Sequence, residues 1–279
     1  MTKLYEYPEA KQVVVCGDVH GKFDELVYRI TTMHGMTDTV IIVAGDCGFG
    51  FHRRGYYDQV LQRVLPKLEK ARCWVVFVRG NHDNPAYFDG EEISHKRWCC
   101  VGDYSVVVTR AGNILCVGGA TSVDRVNRED YQPMPDPVFA SELLMVGEMR
   151  ERLMKSFKKT LLLPKDYWMN EAPYFDEDAL SSIYRAGRSI QAVVSHIPPS
   201  VAEDVAPPSW LGYLTERDPA LLDDMRRDRK TMDALLGRLH RDCHPVRHWL
   251  YGHYHHSWSA CIDGINYTML RELEMKELR

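Results

Sequence analysis

Three short β-branched runs, Gln12–Cys16, residues 40–44 and Trp74–Val78, are separated by two stretches of helical spacing, and each run meets a glycine within two residues of its end. The first helical stretch, residues 23–33, carries Phe23, Leu26, Val27 and Ile30 on one face and ends at Gly35; the second, residues 56–71, contains Pro66. Runs this short and this continuously apolar read as strands buried on both faces. The order β-α-β-α-β then restricts the chain to a parallel sheet with right-handed crossovers.

The pattern changes downstream. Ser105–Thr109 and residues 114–117 flank Ala111-Gly112-Asn113 as a hairpin, and residues 260–262 and 265–270 flank Asp263-Gly264 as a second. Residues 191–195 and His248–Tyr251 read as further short strands. Parallel units succeeded by hairpins imply a mixed α/β domain with two sheets face to face. Residues 121–172 read as a lid-like insertion, with Pro133, Pro135 and Pro137 and a helix over 141–159. Residues 198–219, with Pro198-Pro199 and Pro207-Pro208, read as a long loop, and 221–240 as a charged amphipathic helix. With no repeat, low-complexity tract or flexible linker, residues 1–279 are expected to form a single domain.

Composition narrows the class. A hydrophobic content of 45% and a charged content of 27% are those of a globular protein. The formal net charge of −4 offers no electrostatic footprint for wrapping nucleic acid. The first residues lack the apolar core of a signal peptide, and no apolar stretch is long enough to span a bilayer. The eight cysteines show no paired spacing and read as reduced thiols, so a cytoplasmic location without membrane contact is expected.

The segments just beyond the strands carry the chemistry: Gly17-Asp18-Val19-His20-Gly21, Gly45-Asp46-Cys47-Gly48, Gly80-Asn81-His82-Asp83, Ser195-His196, and Gly252-His253-Tyr254-His255. The carboxyl ends of strands form the ligand crevice of open α/β sheets, so these residues should converge. Asp18 and His20 are two apart, which on an extended segment turns both side chains the same way, and His253 and His255 repeat the spacing. Carboxylates, imidazoles and a carboxamide without cysteine suit Mn²⁺, Fe²⁺/³⁺, Zn²⁺ or Ni²⁺, not a structural zinc site. Seven such donors exceed the needs of one ion with its water; two ions sharing a carboxylate would use them. Taken alone, His196 reads as a capping residue and His253 and His255 as surface residues of a strand; the agreement of five strand ends favours ligands.

The ordered series Asp-x-His, Gly-Asp, Gly-Asn-His-Asp, His and Gly-His-x-His, running from Asp18 to His255, resembles the calcineurin-like metallophosphoesterase superfamily. The resemblance implies a four-layer α/β/β/α sandwich of two mixed sheets. It implies that Asp18, His20 and His255 hold a first divalent metal, that Asn81, His196 and His253 hold a second, and that Asp46 bridges both, with Mn²⁺ first among the candidate metals. It further implies hydrolysis of phosphomonoester or phosphodiester bonds through a metal-bridging hydroxide, with Asn81 and His82 at the phosphate and His82 as general acid. The Ser/Thr protein phosphatase branch continues its second motif as Gly-Asp-x-x-Asp-Arg-Gly. Here Phe49 stands in place of that aspartate, with Phe51 beyond it, which leaves the orienting partner of His82 unidentified. The segment Gly118–Val123 with Asp124, Arg125 and Arg128, then Tyr167-Trp168 and Glu171, resembles a bacterial and phage branch of the superfamily instead.

Arg125 and Arg128 are candidate phosphate contacts, against an alternative ion-pair network with Asp124. A small phosphorylated substrate is the expected partner. A nuclease, for which Tyr167 and Trp168 would be stacking platforms, is the competing activity. A non-catalytic metal-binding scaffold on the same fold is the competing class. His240, Cys243, His244 and His248 fit no standard zinc spacing.

Overall fold

A computed structural model describes residues 2–88, 93–125, 168, 170–202 and 211–278. The strands are β1 (Leu4–Glu6), β2 (Gln12–Cys16), β3 (Thr39–Ala44), β4 (Trp74–Val78), β5 (Ser94–His95), β6 (Trp98–Cys100), β7 (Ser105–Thr109), β8 (Gly112–Val117), β9 (Ala192–Ser195), β10 (His248–Tyr251), β11 (Trp258–Ile262), β12 (Ile265–Met269) and β13 (Met275–Glu277). They form a seven-stranded sheet in the order β1-β7-β8-β9-β10-β12-β11 and a six-stranded sheet in the order β13-β2-β3-β4-β6-β5. Both are mixed: β2, β3, β4 and β6 run parallel beside antiparallel β13 and β5, and β8, β9, β10 and β12 run parallel beside antiparallel β7 and β11.

The period-2 alternation of side chains divides each central strand between two cores. Val13, Val15, Val40, Ile42, Ala44, Val76 and Val78 of one sheet meet Val107, Ile114, Cys116, Ala192, Val194 and Leu250 of the other, which makes the middle of the sandwich. The intervening Val14, Cys16, Ile41, Val43, Val75 and Phe77 face outward onto helices α1 (Phe23–Tyr28) and α2 (Arg54–Ala71). On the far side, Val193, Trp249 and Tyr251 pack with Leu180 and Ile183 of α3 (Glu177–Arg185) and with Met232, Leu235 and Leu239 of the helix Leu221–Arg241. The result is the α/β/β/α layering expected from the sequence. At about 1.5–3 kcal/mol for each fully buried aliphatic side chain, these faces fix the register.

Several local expectations need correcting. Residues 23–33 are not one α-helix: α1 passes into a π-type turn at Arg29–Met33, where the Thr31 hydroxyl donates to the Val27 carbonyl at 2.8 Å and competes with the helical ladder. The stretch 198–219 is not without structure: it includes a 3₁₀ turn at Ser200–Ala202 and the helix α4 (Leu211–Arg217), and the last long helix, now α5, is Leu221–Arg241. Strands β1, β5, β6 and β13 and helix α3 were not anticipated; the strands are two or three residues long, and too short for a periodic signal. Helix α3 begins where the Asp176 carboxylate accepts from Ala179 N–H at 2.8 Å. The helix expected over 141–159, the three prolines before it, Arg128, Tyr167, Pro207 and Pro208 lie outside the described residues.

Candidate metal centre

The register aligns the carboxyl ends of the strands. Cys16 lies beside Val43 and Val43 beside Phe77, so the segments holding Asp18, Asp46 and Asn81 leave one sheet side by side. In the other sheet β9 and β10 run parallel and deliver His196 and the 253–255 segment. Face-to-face packing then gathers all five segments at one edge of the sandwich. The glycines before the donors make the approach possible. A Cβ on Gly45 would lie 2.1 Å from His196 Nδ1, one on Gly80 2.1 Å from Asp46 Oδ1, and one on Gly252 2.0 Å from Asp18 Oδ1.

The backbone reaches this arrangement through turns, not through strand pleating. His20, Asp46, His253 and His255 have φ of 47°, 45°, 73° and 56°. Such left-handed conformations cost roughly 1–2 kcal/mol for a residue with a Cβ, and they concentrate at functional sites. The equivalence expected between Asp18/His20 and His253/His255 therefore does not hold. Asp18 and His20 face the same group of donors, whereas His253 and His255 diverge into two groups.

One group consists of Asp18, His20, Asp46 and His255, and the other of Asp46, His196 and His253. Asp46 belongs to both. In the first, His20 Nε2 lies 3.0 Å from His255 Nε2, His255 Nε2 lies 3.0 Å from Asp18 Oδ2, and His20 Nε2 lies 4.0 Å from Asp46 Oδ2. In the second, His196 Nε2 is 2.8 Å from Asn81 Oδ1, 3.2 Å from His253 Nδ1 and 3.4 Å from Asp46 Oδ1, and His253 Nδ1 is 3.1 Å from Asn81 Oδ1. Donors bound at about 2.1 Å to one transition metal sit about 3.0–3.4 Å apart, and all of these spacings but the 2.8 Å and 4.0 Å ones fall in that range. The donor chemistry fits too. His196 Nδ1 faces the Ala44 carbonyl at 2.8 Å, and a carbonyl only accepts, so Nδ1 carries a proton and Nε2 is the nitrogen turned inward, the one a cation would use.

Electrostatics point the same way. Burial opposes ionisation of Asp46, but the imidazoles of His196 and His82 outweigh it and hold the carboxyl well below its usual range. Burial also disfavours charge on His196, yet Asp46 reverses this and pushes the imidazole up to about 9. Burial and the neighbouring His196 hold His253 well below the usual histidine value. A hydrogen bond to Asp18 raises His255. The two aspartates favour positive charge beside them, as a cation site requires, while burial and the neighbouring imidazole keep His253 uncharged.

Supporting contacts come from residues outside the donor set. Asp83 is fully buried, and its carboxylate accepts four backbone N–H bonds: from Cys47 and Gly80 at 2.9 Å each on one oxygen, and from Gly48 at 2.7 Å and Phe49 at 2.9 Å on the other. It ties the loop after β3 to the loop after β4. Phe49 points away from the site into an aromatic core, 5.0 Å from Phe77 and 5.1 Å from Phe23 between ring centroids. His82 donates its backbone N–H to Asp46 Oδ1 at 2.9 Å, and its Nε2 lies 3.9 Å from Asp46 Oδ2. Arg125 is held by Asp218 at 2.6 Å and by Asp224 at 2.6 Å. His240, Cys243, His244 and His248 join neither donor group. All eight cysteines are free.

Serine/threonine-protein phosphatase PP1-1 of Saccharomyces cerevisiae is 33% identical over 130 residues, 41% of this chain and 40% of that protein. The chain thus spans less than half the length of the curated relatives it matches. Among solved structures, a dimetal phosphatase from Danio rerio superposes with a TM-score of 0.46 at 15% identity, covering 95% of this chain and 88% of that one. Phosphopantetheinyl hydrolase from Mycobacterium tuberculosis superposes with a TM-score of 0.41 at 14% identity, covering 94% and 89%. The family described as Calcineurin-like phosphoesterase matches residues 11–257, which takes in every donor named above. The chain belongs to the calcineurin-like phosphoesterase family.

Proposed function

We propose that this protein hydrolyses phosphomonoester or phosphodiester bonds of a small phosphorylated substrate, using two divalent metal ions held by Asp18, His20, His255 and Asp46 on one side and by Asp46, Asn81, His196 and His253 on the other. The observation that carries the reading is that Asp46 belongs to both donor groups, which is what a pair of ions sharing one carboxylate requires. Two such ions, Mn²⁺ first among the candidates, would polarise the phosphoryl group and lower the pKa of water enough to supply a nucleophile near neutral pH.

The remaining work falls to side chains. Asn81 contributes its carboxamide oxygen. Asp18 also accepts the His253 backbone N–H at 3.0 Å, which locks the last motif against the first. His82 keeps 17% of its side chain exposed at the rim and is the candidate for giving a proton to the leaving oxygen. Phe49 takes no part, because its ring lies in the core, and this disfavours a mechanism of the protein-phosphatase type in which an aspartate from that position orients the histidine.

The test is metal analysis together with hydrolysis of p-nitrophenyl phosphate and bis-p-nitrophenyl phosphate in Mn²⁺. Asp46→Ala should abolish both hydrolyses. A folded Asp46→Ala protein with unchanged turnover in metal-stripped buffer would exclude the mechanism. An unsubstituted protein that hydrolyses neither ester, even with metal bound, would favour the scaffold. His82→Ala should lower kcat by roughly 10²–10⁴-fold, and less for p-nitrophenyl than for phenyl esters, because the better leaving group needs less protonation.

A further inference from the structure

The carboxamide of Asn81 can present either an oxygen or an NH₂ group to His196 and His253, and only the oxygen can bind a cation. The residues behind it decide which atom faces inward. Asn81 Nδ2 lies 2.8 Å from Ser122 Oγ, and Ser122 Oγ lies 2.6 Å from Glu171 Oε2. The backbone N–H of Ser122 donates to the other oxygen of the same carboxylate at 2.6 Å. Asn81, Ser122 and Glu171 are 1%, 1% and 3% exposed, so water does not compete for these bonds.

The direction of the chain follows from proton count in the ionised form of Glu171, whose pKa burial pushes up to about 7. A serine hydroxyl has one proton and a carboxylate has none, and the Ser122 N–H already points at that carboxylate, so with Glu171 ionised Ser122 donates to it and can only accept from Asn81. The amide must then turn its NH₂ toward Ser122 and its oxygen toward His196 and His253. We propose that Glu171, acting through Ser122, is a positioning residue that fixes the oxygen of Asn81 toward the metal held with His196 and His253. This rests on the dinuclear reading above. Glu171 is itself seated by the same loop: Arg79, two residues before Asn81, donates to the carbonyls of Glu171 at 2.6 Å and of Asn170 and Ala172 at 3.3 Å. Asp18, His20 and His255 are not part of this relay, so its loss should affect one ion and spare the other.

The experiment titrates Mn²⁺ by calorimetry into metal-stripped protein. Ser122→Ala removes the acceptor. Glu171→Gln offers an NH₂ to Ser122 Oγ, which frees the hydroxyl to donate toward Asn81 and favours the reversed amide. Each should weaken one of two binding steps by about 10–100-fold and leave the other within twofold. Ser122→Thr, which keeps the hydroxyl, should restore most of the affinity. In an Asn81→Asp background, where either terminal atom is an oxygen, the Glu171→Gln penalty should vanish. Equal weakening of both steps together with a lower metal-free melting temperature would reduce Glu171 to a structural residue. An unchanged titration, or a penalty that persists with aspartate at position 81, would also overturn the proposal. Failure of the unsubstituted protein to show two binding steps would refute the dinuclear reading itself, and this inference with it.

Discussion

Replacing Asp83 with asparagine tests how the metal-binding loops are held. Its carboxylate accepts two N–H bonds on each oxygen, from Cys47 and Gly80 on one and from Gly48 and Phe49 on the other. Asparagine has one oxygen, so whichever way its amide turns, two buried N–H groups face an NH₂. Each buried donor left unpaired costs about 1–3 kcal/mol, giving a gross loss of about 2–6 kcal/mol. Part of that is offset, because burial and the nearby Asp46 charge raise the Asp83 pKa and make its ionised form less favourable than in water. A net loss of about 2–4 kcal/mol is expected, equivalent to a fall of roughly 3–7 °C in melting temperature for a chain of this size. The assay is urea unfolding of metal-free protein, read as a shift of the midpoint at constant slope. The same variant should bind Mn²⁺ more weakly, since the loops it releases carry Asp46 and Asn81. A midpoint change worth under about 0.5 kcal/mol would refute the claim that this carboxylate holds the two loops together.

Three further outcomes rest on particular contacts. Gly45→Ala places a Cβ 2.1 Å from His196 Nδ1 at a φ of +98°, so His196 should be displaced; circular dichroism is expected to show a retained fold and calorimetry the loss of at least one Mn²⁺ step. Asp228, buried on α5 and accepting the Thr121 N–H at 2.7 Å, has its pKa pushed by burial up to about 6. The folded state therefore binds that proton more tightly than the unfolded chain, and the resulting stability, present below about pH 4, is lost as pH rises through about 6. Relative to Asp228→Asn, the unsubstituted protein should lose roughly 2–3 kcal/mol between pH 4 and pH 7, and denaturant midpoints that move in parallel would contradict this. Arg125→Gln separates two roles. If Asp218 and Asp224 take its bonds, the variant should be destabilised by about 1–3 kcal/mol with KM within twofold, whereas a tenfold rise in KM at unchanged stability would assign the guanidinium to the substrate phosphate.

Which residues bear donor atoms, and that they succeed strands, is written in the chain itself. Apolar runs at β2, β3 and β4 announce strands covered on both faces, and a strand end is where backbone and side chain become free to meet a ligand. The short edge strands left no such mark, because their pairing is decided by a partner and not by their own periodicity. Which donors share a group does not follow from their spacing; the family resemblance implied the partition, and the tertiary structure brings it about. The divergence of His253 and His255 depends on two left-handed backbone angles, and spacing in sequence carries no dihedral. The duties of Asp83, Ser122 and Glu171 were hidden for a related reason: a buried carboxylate beside a backbone N–H some 35 or 49 residues away is a contact made by folding, and nothing local announces it. Donor identity is a property of covalent structure, while the choice of which end of an amide turns inward belongs to the hydrogen bonds that packing closes around it.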